Sequence, residues 1–229
     1  MGIGIALSGP GMWTVFVENY DLFLECLLGT LKLAALSVFF GTLLGALVCL
    51  ARMSKFTPLR WLFTAYVEII RGTPILAQLM IFYFVLPMAI SLPFFQSKYN
   101  CVVASLIINS SAYVSEVFRS GIQSVDKGQM EAAKSLGMSN RNAMMRIIMP
   151  QAIRTILPSL GNEFIMMIKE TSLASTFFIT ELMYARSILM STKFLTWQPL
   201  FIIAIIYFVV TFTLSKVVSF IEKKMAVSD

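Results

Sequence analysis

The chain has 229 residues, of which 58% are hydrophobic and 13% are charged, and its formal net charge is +6. Ordinary soluble domains carry about 25% charged residues, so this composition excludes a typical soluble protein and indicates an integral membrane protein. The sequence contains no histidine, which excludes histidine-based catalysis and histidine-ligated metal sites. Three cysteines lie apart in apolar surroundings and are predicted to be buried free thiols: Cys26, Cys49 and Cys101.

Five segments are predicted to cross the bilayer as helices, because each combines apolar character with the length that a membrane span requires. They cover about residues 22–51, 61–90, 99–118, 154–179 and 199–220. This pattern predicts an all-α membrane fold without a separate soluble domain. In the first span, Gly41 and Gly45 have a spacing that allows another helix to approach closely.

The second span contains a predicted bend. Pro74 lacks a backbone donor and Gly72 loosens the chain, so the helix is expected to bend or break there. Carbonyl groups freed by the break need hydrogen-bond donors from the protein or from a water-filled path. Just before the bend, Glu68 and Arg71 are three residues apart, a spacing that favours an ion pair on one helical face.

The third and fourth spans carry polar residues that would be costly if they faced lipid, so both helices are expected inside the bundle. These residues are Asn109, Ser110, Ser111, Tyr113, Ser115 and Glu116 in the third span, and Asn162, Glu163, Lys169, Glu170 and Ser172 in the fourth. The spacing of Glu116 and Arg119 favours a local ion pair. Lys169 and Glu170 are adjacent and point in different directions, so no pair is predicted between them.

The loop between the third and fourth spans is the only long polar stretch of the chain. Residues 129–135 favour a short helix, Gly137 suits the left-handed residue that ends helices, and Ser139 is a candidate cap for the next helix. A short helix of this kind, lying across the membrane surface, can present one face to a partner protein. The alternative is an amphipathic interfacial loop without a partner.

The distribution of basic residues predicts the orientation of the chain. Residues 1–21 contain no lysine or arginine, whereas basic residues gather in the loop after the first span, in the long loop and in the tail. The N-terminus is therefore expected outside and the C-terminus in the cytoplasm. The predicted division is an outer segment 1–21, a transmembrane domain 22–220 with a cytoplasmic loop at about 120–153, and a tail 221–229. No cleavable signal peptide is expected, because no basic region precedes an apolar run.

The long loop resembles the cytoplasmic loop motif of permease subunits of bacterial ABC importers. The residues that carry this resemblance are Glu131, Ala132, Ala133, Gly137, Ile147, Met149 and Pro150. Met149 stands where that family usually has leucine, a change that keeps shape and apolarity. Further segments resemble polar amino acid permeases of the histidine, glutamine and arginine type: 29–34, 71–79, 112–116, 119–122, 128–129, 160–164 and 169–173. Ser111 departs from that subfamily, which usually has glycine there.

The resemblance implies a type I ABC importer permease fold with five transmembrane helices in the bacterial cytoplasmic (inner) membrane. It implies a permease subunit of an ATP-driven amino acid importer, which forms the translocation pathway with a second, identical or related permease subunit. ATP-binding ABC subunits would use ATP and Mg²⁺, and an extracytoplasmic amino acid-binding protein would deliver the substrate. This chain has no GxxxxGK[ST] phosphate loop, so it is expected to bind no cofactor and not to be an enzyme. The alternative is a secondary amino acid transporter that is not driven by ATP.

Six residues are candidates for the substrate pathway: Glu163, Asn162, Tyr113, Asn109, Thr73 and Gln78. The charged groups of an amino acid need partners in a low-dielectric cavity, and Glu163 has no basic residue three or four positions away. A transported cation or a basic residue of a neighbouring helix would each explain this acid, and the first favours a cationic or neutral polar amino acid. The residues implied in coupling to the ATPase are Glu131, Ala132, Ala133, Lys134 and Gly137.

Overall fold

A computed structural model describes residues 10–226, and the regular elements within that range are all helices. They are α1 (Met12–Glu18), α2 (Tyr20–Arg52), α3 (Thr57–Gly72), α4 (Ile75–Met80), α5 (Leu86–Ala89), α6 (Pro93–Gln96), α7 (Lys98–Gln123), α8 (Lys127–Ser135), α9 (Asn140–Ala143), α10 (Met149–Glu170), α11 (Leu182–Lys193) and α12 (Gln198–Ala226). Two π-helical turns and one 3₁₀ segment continue neighbouring helices: Ile81–Val85, Met144–Ile148 and Thr171–Phe177. Residues 1–9 of the predicted outer segment and 227–229 of the predicted tail lie outside the described residues.

Three of these helices, α2, α7 and α12, are long and apolar enough to cross a membrane. The bent pair Thr57–Gly72 and Ile75–Ala89 is a fourth candidate when it is counted as one span. The predicted fourth span begins in α10, which is not among these apolar helices because Arg154, Glu163 and Lys169 lie along it. A helix of this polarity needs protein or water around its polar face.

The close packing of α2 against α7 depends on two glycines. A Cβ atom on Gly41 would lie 2.7 Å from Ser110 Cβ, and one on Gly45 would lie 2.8 Å from the Ser111 carbonyl oxygen. Both distances are shorter than non-bonded carbon contacts allow, so larger residues would push the helices apart. The close approach predicted from the glycine spacing is confirmed, and its partner is the polar third span.

The chain bends by 105° between α3 and the helical stretch that starts with α4, which confirms the bend predicted at Gly72 and Pro74. Gln78 stabilises this bend, because its Nε2 donates to the Ile70 carbonyl at 2.7 Å and to the Thr73 carbonyl at 3.2 Å. Carbonyl groups left without helical partners at the break are thus paired within the protein.

The largest apolar cluster joins α2, α4, α7 and α10, and its buried members include Leu33, Leu79, Leu106 and Met167. The three cysteines are free and buried, as predicted. The interior of α10 contains Pro158, which has no amide hydrogen and therefore removes one backbone hydrogen bond from the helix. This residue lies between the long loop and the polar half of α10.

Candidate functional site

A cavity of about 220 Å³ lies where α10 faces α7 and the bend between α3 and α4. Its lining consists of Thr73, Pro74, Ile75, Asn109, Tyr113, Glu163, Met166, Met167 and Glu170. Four of the six residues predicted for the substrate pathway therefore meet here: Thr73, Asn109, Tyr113 and Glu163. They come from three separate parts of the chain, so only the tertiary fold brings them together.

Two acidic side chains line the cavity. Ser110 Oγ donates to Glu163 Oε1 at 3.2 Å, and Glu170 lines the same cavity seven residues further along α10. No lysine or arginine of residues 10–226 forms an ion pair with either carboxylate, and none belongs to the lining. A cationic group bound in this cavity would therefore be stabilised by opposite charge.

Gln78 does not line the cavity, but it holds two residues that do. The side chain is buried. Its Oε1 accepts a hydrogen bond from Asn109 Nδ2 at 3.0 Å, and its Nε2 donates to Thr73 Oγ1 at 2.9 Å. Gln78 thus holds Asn109 and Thr73 in fixed positions relative to each other. It does so from outside the cavity, through hydrogen bonds to these two lining residues.

Asn162 lies apart from the other candidates. It is exposed and lines a different cavity, of about 470 Å³, together with Asp126, Arg154 and Glu222. Consecutive residues of an α-helix point about 100° apart, and this rotation separates Asn162 from Glu163. The structure therefore does not bring Asn162 to the cavity that holds the other pathway candidates.

Five lining residues are missing from the candidates predicted by sequence: Pro74, Ile75, Met166, Met167 and Glu170. Glu170 is seven residues after Glu163, and this spacing places both on one helical face; that periodicity is the signal that identifies it. Met166 and Met167 also line the cavity. Flexible thioethers fill irregular spaces well, so their place in the cavity wall agrees with a packing role.

Glu116, three residues after Tyr113 on α7, is the centre of an ion cluster. Arg52 lies 2.9 Å from its Oε1, and Arg119 lies 2.6 Å from its Oε2, which confirms the predicted local pair. Arg71 approaches Oε1 at 3.5 Å, and its guanidinium group lies 5.4 Å from the centre of the Tyr113 ring. One carboxylate therefore faces three guanidinium groups.

The predicted pair between Glu68 and Arg71 is wrong. Within the described part of the chain, Arg71 pairs with Glu116 instead, and Glu68 is exposed. A local pair on an exposed helical face contributes only about 0.2–0.5 kcal/mol. The partly buried Glu116 carboxylate is a stronger partner, because solvent screens its charge less.

The short helix predicted in the long loop forms as α8, which starts two residues earlier than expected, at Lys127. Gly137 follows it with a φ of +79°. The Gly137 amide donates to the Lys134 carbonyl at 2.9 Å, and the Met138 amide donates to the Ala133 carbonyl at 3.1 Å. This pattern is the Schellman motif, so the predicted left-handed stop at Gly137 is confirmed. Ser139 caps α9, also as predicted.

The residues implied in coupling do not share one face of α8. Glu131, Ala132 and Lys134 are exposed, whereas Ala133 is buried against the rest of the chain. Beside them, Leu136 is 84% exposed.

Residues 37–227 match the family of binding-protein-dependent transport system inner membrane components. The chain belongs to this permease family. The permease is 37% identical over 213 residues to the probable glutamine ABC transporter permease protein GlnM of Bacillus subtilis (strain 168), which covers 93% of this chain and 97% of that relative. It is 40% identical over 198 residues to the L-cystine transport system permease protein TcyB of the same organism, covering 86% and 83% of the two chains. A crystal structure of an amino acid ABC transporter with histidines matches it with a TM-score of 0.87 at 42% identity, covering 94% of this chain and 99% of the other.

These comparisons confirm the all-α type I ABC importer permease fold. The permease is a multi-pass inner membrane transport subunit and not an enzyme, and a partner ATPase hydrolyses the ATP. Nothing in the comparisons supports the secondary transporter considered from the sequence. Within residues 10–226, no group of three or more histidine, cysteine, aspartate or glutamate side chains is placed to hold a metal ion.

Proposed function

We propose that this permease carries an amino acid through the cavity that contains Glu163, and that its long loop docks on the ATPase that drives transport. The observation that carries the proposal is the meeting of Thr73, Asn109, Tyr113 and Glu163 in one small cavity of a helical bundle. Polar side chains at membrane depth are costly against lipid and are expected where a polar solute passes.

The size and charge of the cavity support an amino acid as the substrate. Pockets for drug-sized ligands measure about 300–1,000 Å³, so a cavity of about 220 Å³ suits a smaller molecule. The two relatives described above are named for glutamine and cystine. The carboxylates of Glu163 and Glu170 favour a cationic or neutral polar amino acid over an acidic one, because they repel a third carboxylate.

The pathway is proposed to form between two permease subunits, either two copies of this chain or this chain and a related one. Tyr113 and Met166 line the cavity, yet they are 36% and 48% exposed in the single chain. A second subunit would cover this side and complete the wall. An extracytoplasmic binding protein would deliver the amino acid to this pathway from outside the cell membrane.

We place the N-terminus outside and the long loop and C-terminus in the cytoplasm. The support is the set of exposed basic residues at the loop and in α12, which the positive-inside rule assigns to the cytoplasm: Lys127, Lys134, Arg141, Arg146, Lys223 and Lys224. The proposed division is then the outer segment 1–21, the transmembrane domain 22–220 with the coupling loop at about 120–153, and the tail 221–229.

Motion of the coupling loop would reach the cavity through α10. Gln151, near the start of α10, donates from Nε2 to Gln129 Oε1 of α8 at 3.5 Å. Ile156 packs against Gly121 at the end of α7, and α10 continues from there to Glu163. ATP binding would draw the two ATPase subunits together, move the docked loops and turn the cavity outward. Hydrolysis would reset it.

The test is ATP-driven uptake by the permease reconstituted in liposomes with its ATPase and its binding protein. Glu163→Gln keeps the volume and the hydrogen bond from Ser110 but deletes the charge. With a cationic substrate, its uptake should fall about tenfold or more, because a hydrogen bond to a charged group is worth about 1.5–3 kcal/mol. Glu68→Gln is the matched control, because this carboxylate is exposed and lies outside the cavity.

Competition by arginine, histidine, glutamine and glutamate would define the substrate in the same assay. Uptake that follows an ion gradient and needs neither ATP nor the ATPase would overturn the proposed function. Unchanged uptake of every amino acid by Glu163→Gln would remove this carboxylate from the pathway.

A further inference from the structure

The cavity of the proposed pathway lacks one group that an amino acid requires. Every α-amino acid has a carboxylate as well as an ammonium group, and the lining offers two carboxylates and no lysine or arginine. A substrate carboxylate placed among Glu163 and Glu170 alone would be repelled and left without a partner, which costs several kcal/mol in a low-dielectric site. A cation at the edge of this cavity would supply the missing partner.

Arg71 stands at that edge. Its guanidinium group lies over the Tyr113 ring, 5.4 Å from the ring centre, and Tyr113 belongs to the lining. In the sequence, Arg71 is separated only by Gly72 from Thr73, which also lines the cavity. A planar guanidinium group matches a carboxylate through two parallel hydrogen bonds.

Arg71 is also the arginine that the ion cluster holds least tightly. Glu116 is already bound by Arg52 at 2.9 Å through one oxygen and by Arg119 at 2.6 Å through the other. Arg71 is 3.5 Å from the first oxygen, its side chain is 40% exposed, and it donates no hydrogen bond to the described residues. Glu116 would remain neutralised if Arg71 turned to another anion.

Lys169 is the other basic residue of this part of α10, but it faces elsewhere. It lines a separate cavity of about 500 Å³ together with Tyr207 of α12. Among the described residues, Arg71 is thus the cation best placed to complete the amino acid site.

We propose that Arg71 binds the carboxylate of the transported amino acid, while Glu163 and Glu170 face its ammonium group. This inference rests on the proposed function. The substrate would lie across the cavity, with its negative end toward the bend of α3 and its positive end toward α10. The groups recognised in this way are the α-carboxylate and the α-ammonium group that all amino acids share. The proposed role of Arg71 is therefore the same for a glutamine-like and for an arginine-like substrate.

The test compares ligands with and without the carboxylate. The complex of permease and ATPase, purified without binding protein, is titrated with L-arginine and agmatine, and with L-glutamine and 4-aminobutanamide. Each second compound is the first without its α-carboxylate. Ligand binding is measured as thermal stabilisation, which rises with ligand concentration over Kd.

The wild type should prefer the amino acid to its amine about tenfold or more for at least one pair. Arg71→Gln should abolish this preference by weakening amino acid binding alone, and Arg71→Lys should restore part of it. Arg119→Gln is the matched control, because Arg119 also pairs with Glu116 but is not stacked on Tyr113 in the described part of the chain. This variant should keep the preference.

Three results would overturn the inference: no preference in the wild type, a preference that survives in Arg71→Gln, or its equal loss in Arg71→Gln and Arg119→Gln. The last result would show that the ion cluster matters only for structure. In each of these cases, ATP-driven amino acid uptake by the wild type would leave the proposed function standing. The absence of ATP-driven uptake of any amino acid would remove both.

Discussion

The amide group of Asn109 donates a hydrogen bond of 3.0 Å to Gln78 Oε1, and this bond ties α7 to the bend between α3 and α4. The same Gln78 side chain donates to the Ile70 and Thr73 carbonyl groups. A single amide thus stabilises the bend and fixes the distance between two walls of the cavity. The geometry of the candidate site depends on this buried residue as much as on the residues of the lining.

Replacing Gln78 by methionine keeps the approximate volume and removes all of these hydrogen bonds. The unfolding free energy should drop by about 1–3 kcal/mol, because the buried Asn109 amide loses its acceptor. Uptake should fall because Asn109 and Thr73 lose their support. Thermal unfolding of the purified permease measures the first effect. Gln96→Met is the matched control, because Gln96 also bonds to two carbonyl groups but is exposed. Equal destabilisation by the two variants would contradict this role of Gln78.

Gly137→Val should uncouple ATP hydrolysis from uptake. A Cβ atom at Gly137 would meet nothing within 4 Å, so the cost arises from the backbone φ of +79°. Left-handed geometry costs an L-residue about 1–2 kcal/mol, and the end of α8 should shift. The ratio of amino acid transported to ATP hydrolysed should fall. Gly137→Asn is the control, since asparagine tolerates this conformation, and it should keep most of the coupling. Normal coupling in Gly137→Val would argue against docking through this loop.

Gly41→Ala should destabilise the permease by about 1–3 kcal/mol, the usual cost of inserting a methyl group into a packed core. The added Cβ would lie 2.7 Å from both the Cβ and the Oγ of Ser110. Gly11→Ala provides the comparison, because a methyl group added at Gly11 would meet only the Thr14 hydroxyl oxygen, at 4.0 Å. Thermal unfolding of both variants in detergent measures the difference. If Gly41→Ala unfolds at the wild-type temperature, α2 and α7 are not packed as tightly as described.

Cysteine labelling tests the proposed orientation. Ser8→Cys should react with an impermeant thiol reagent applied from outside, and Ser228→Cys should not; both positions lie outside the described residues. Cys26, Cys49 and Cys101 are buried, but they must be replaced first so that the signal comes from one site. The opposite labelling pattern would reverse the proposed topology.

Features set by local chemistry could be predicted from the sequence. The bend needs only Gly72 and Pro74, and the helix stop needs only Gly137, because both follow from backbone conformation. The pair of Glu116 and Arg119 follows from helical spacing in the same way. Each of these predictions involves residues that lie within one or two helical turns of each other.

Features set by the rotation and packing of helices could not be predicted in the same way. Arg71 forms an ion pair with Glu116 rather than with Glu68 because α3 packs against α7. The spacing of residues along the sequence does not show that contact between helices. Helix rotation also explains why the prediction placed Asn162 in the same cavity as Glu163. The two residues are adjacent in the sequence, but their side chains point about 100° apart. The seven-residue spacing of Glu163 and Glu170 does predict that both side chains lie on the same face of the helix.

Pro158 divides α10 into a part attached to the long loop and a part that carries Glu163 and Glu170. Because proline removes a backbone hydrogen bond there, the helix is most compliant between the two parts. A change of angle at Pro158 would therefore let the part of α10 that carries Glu163 and Glu170 tilt relative to the part that is attached to the loop.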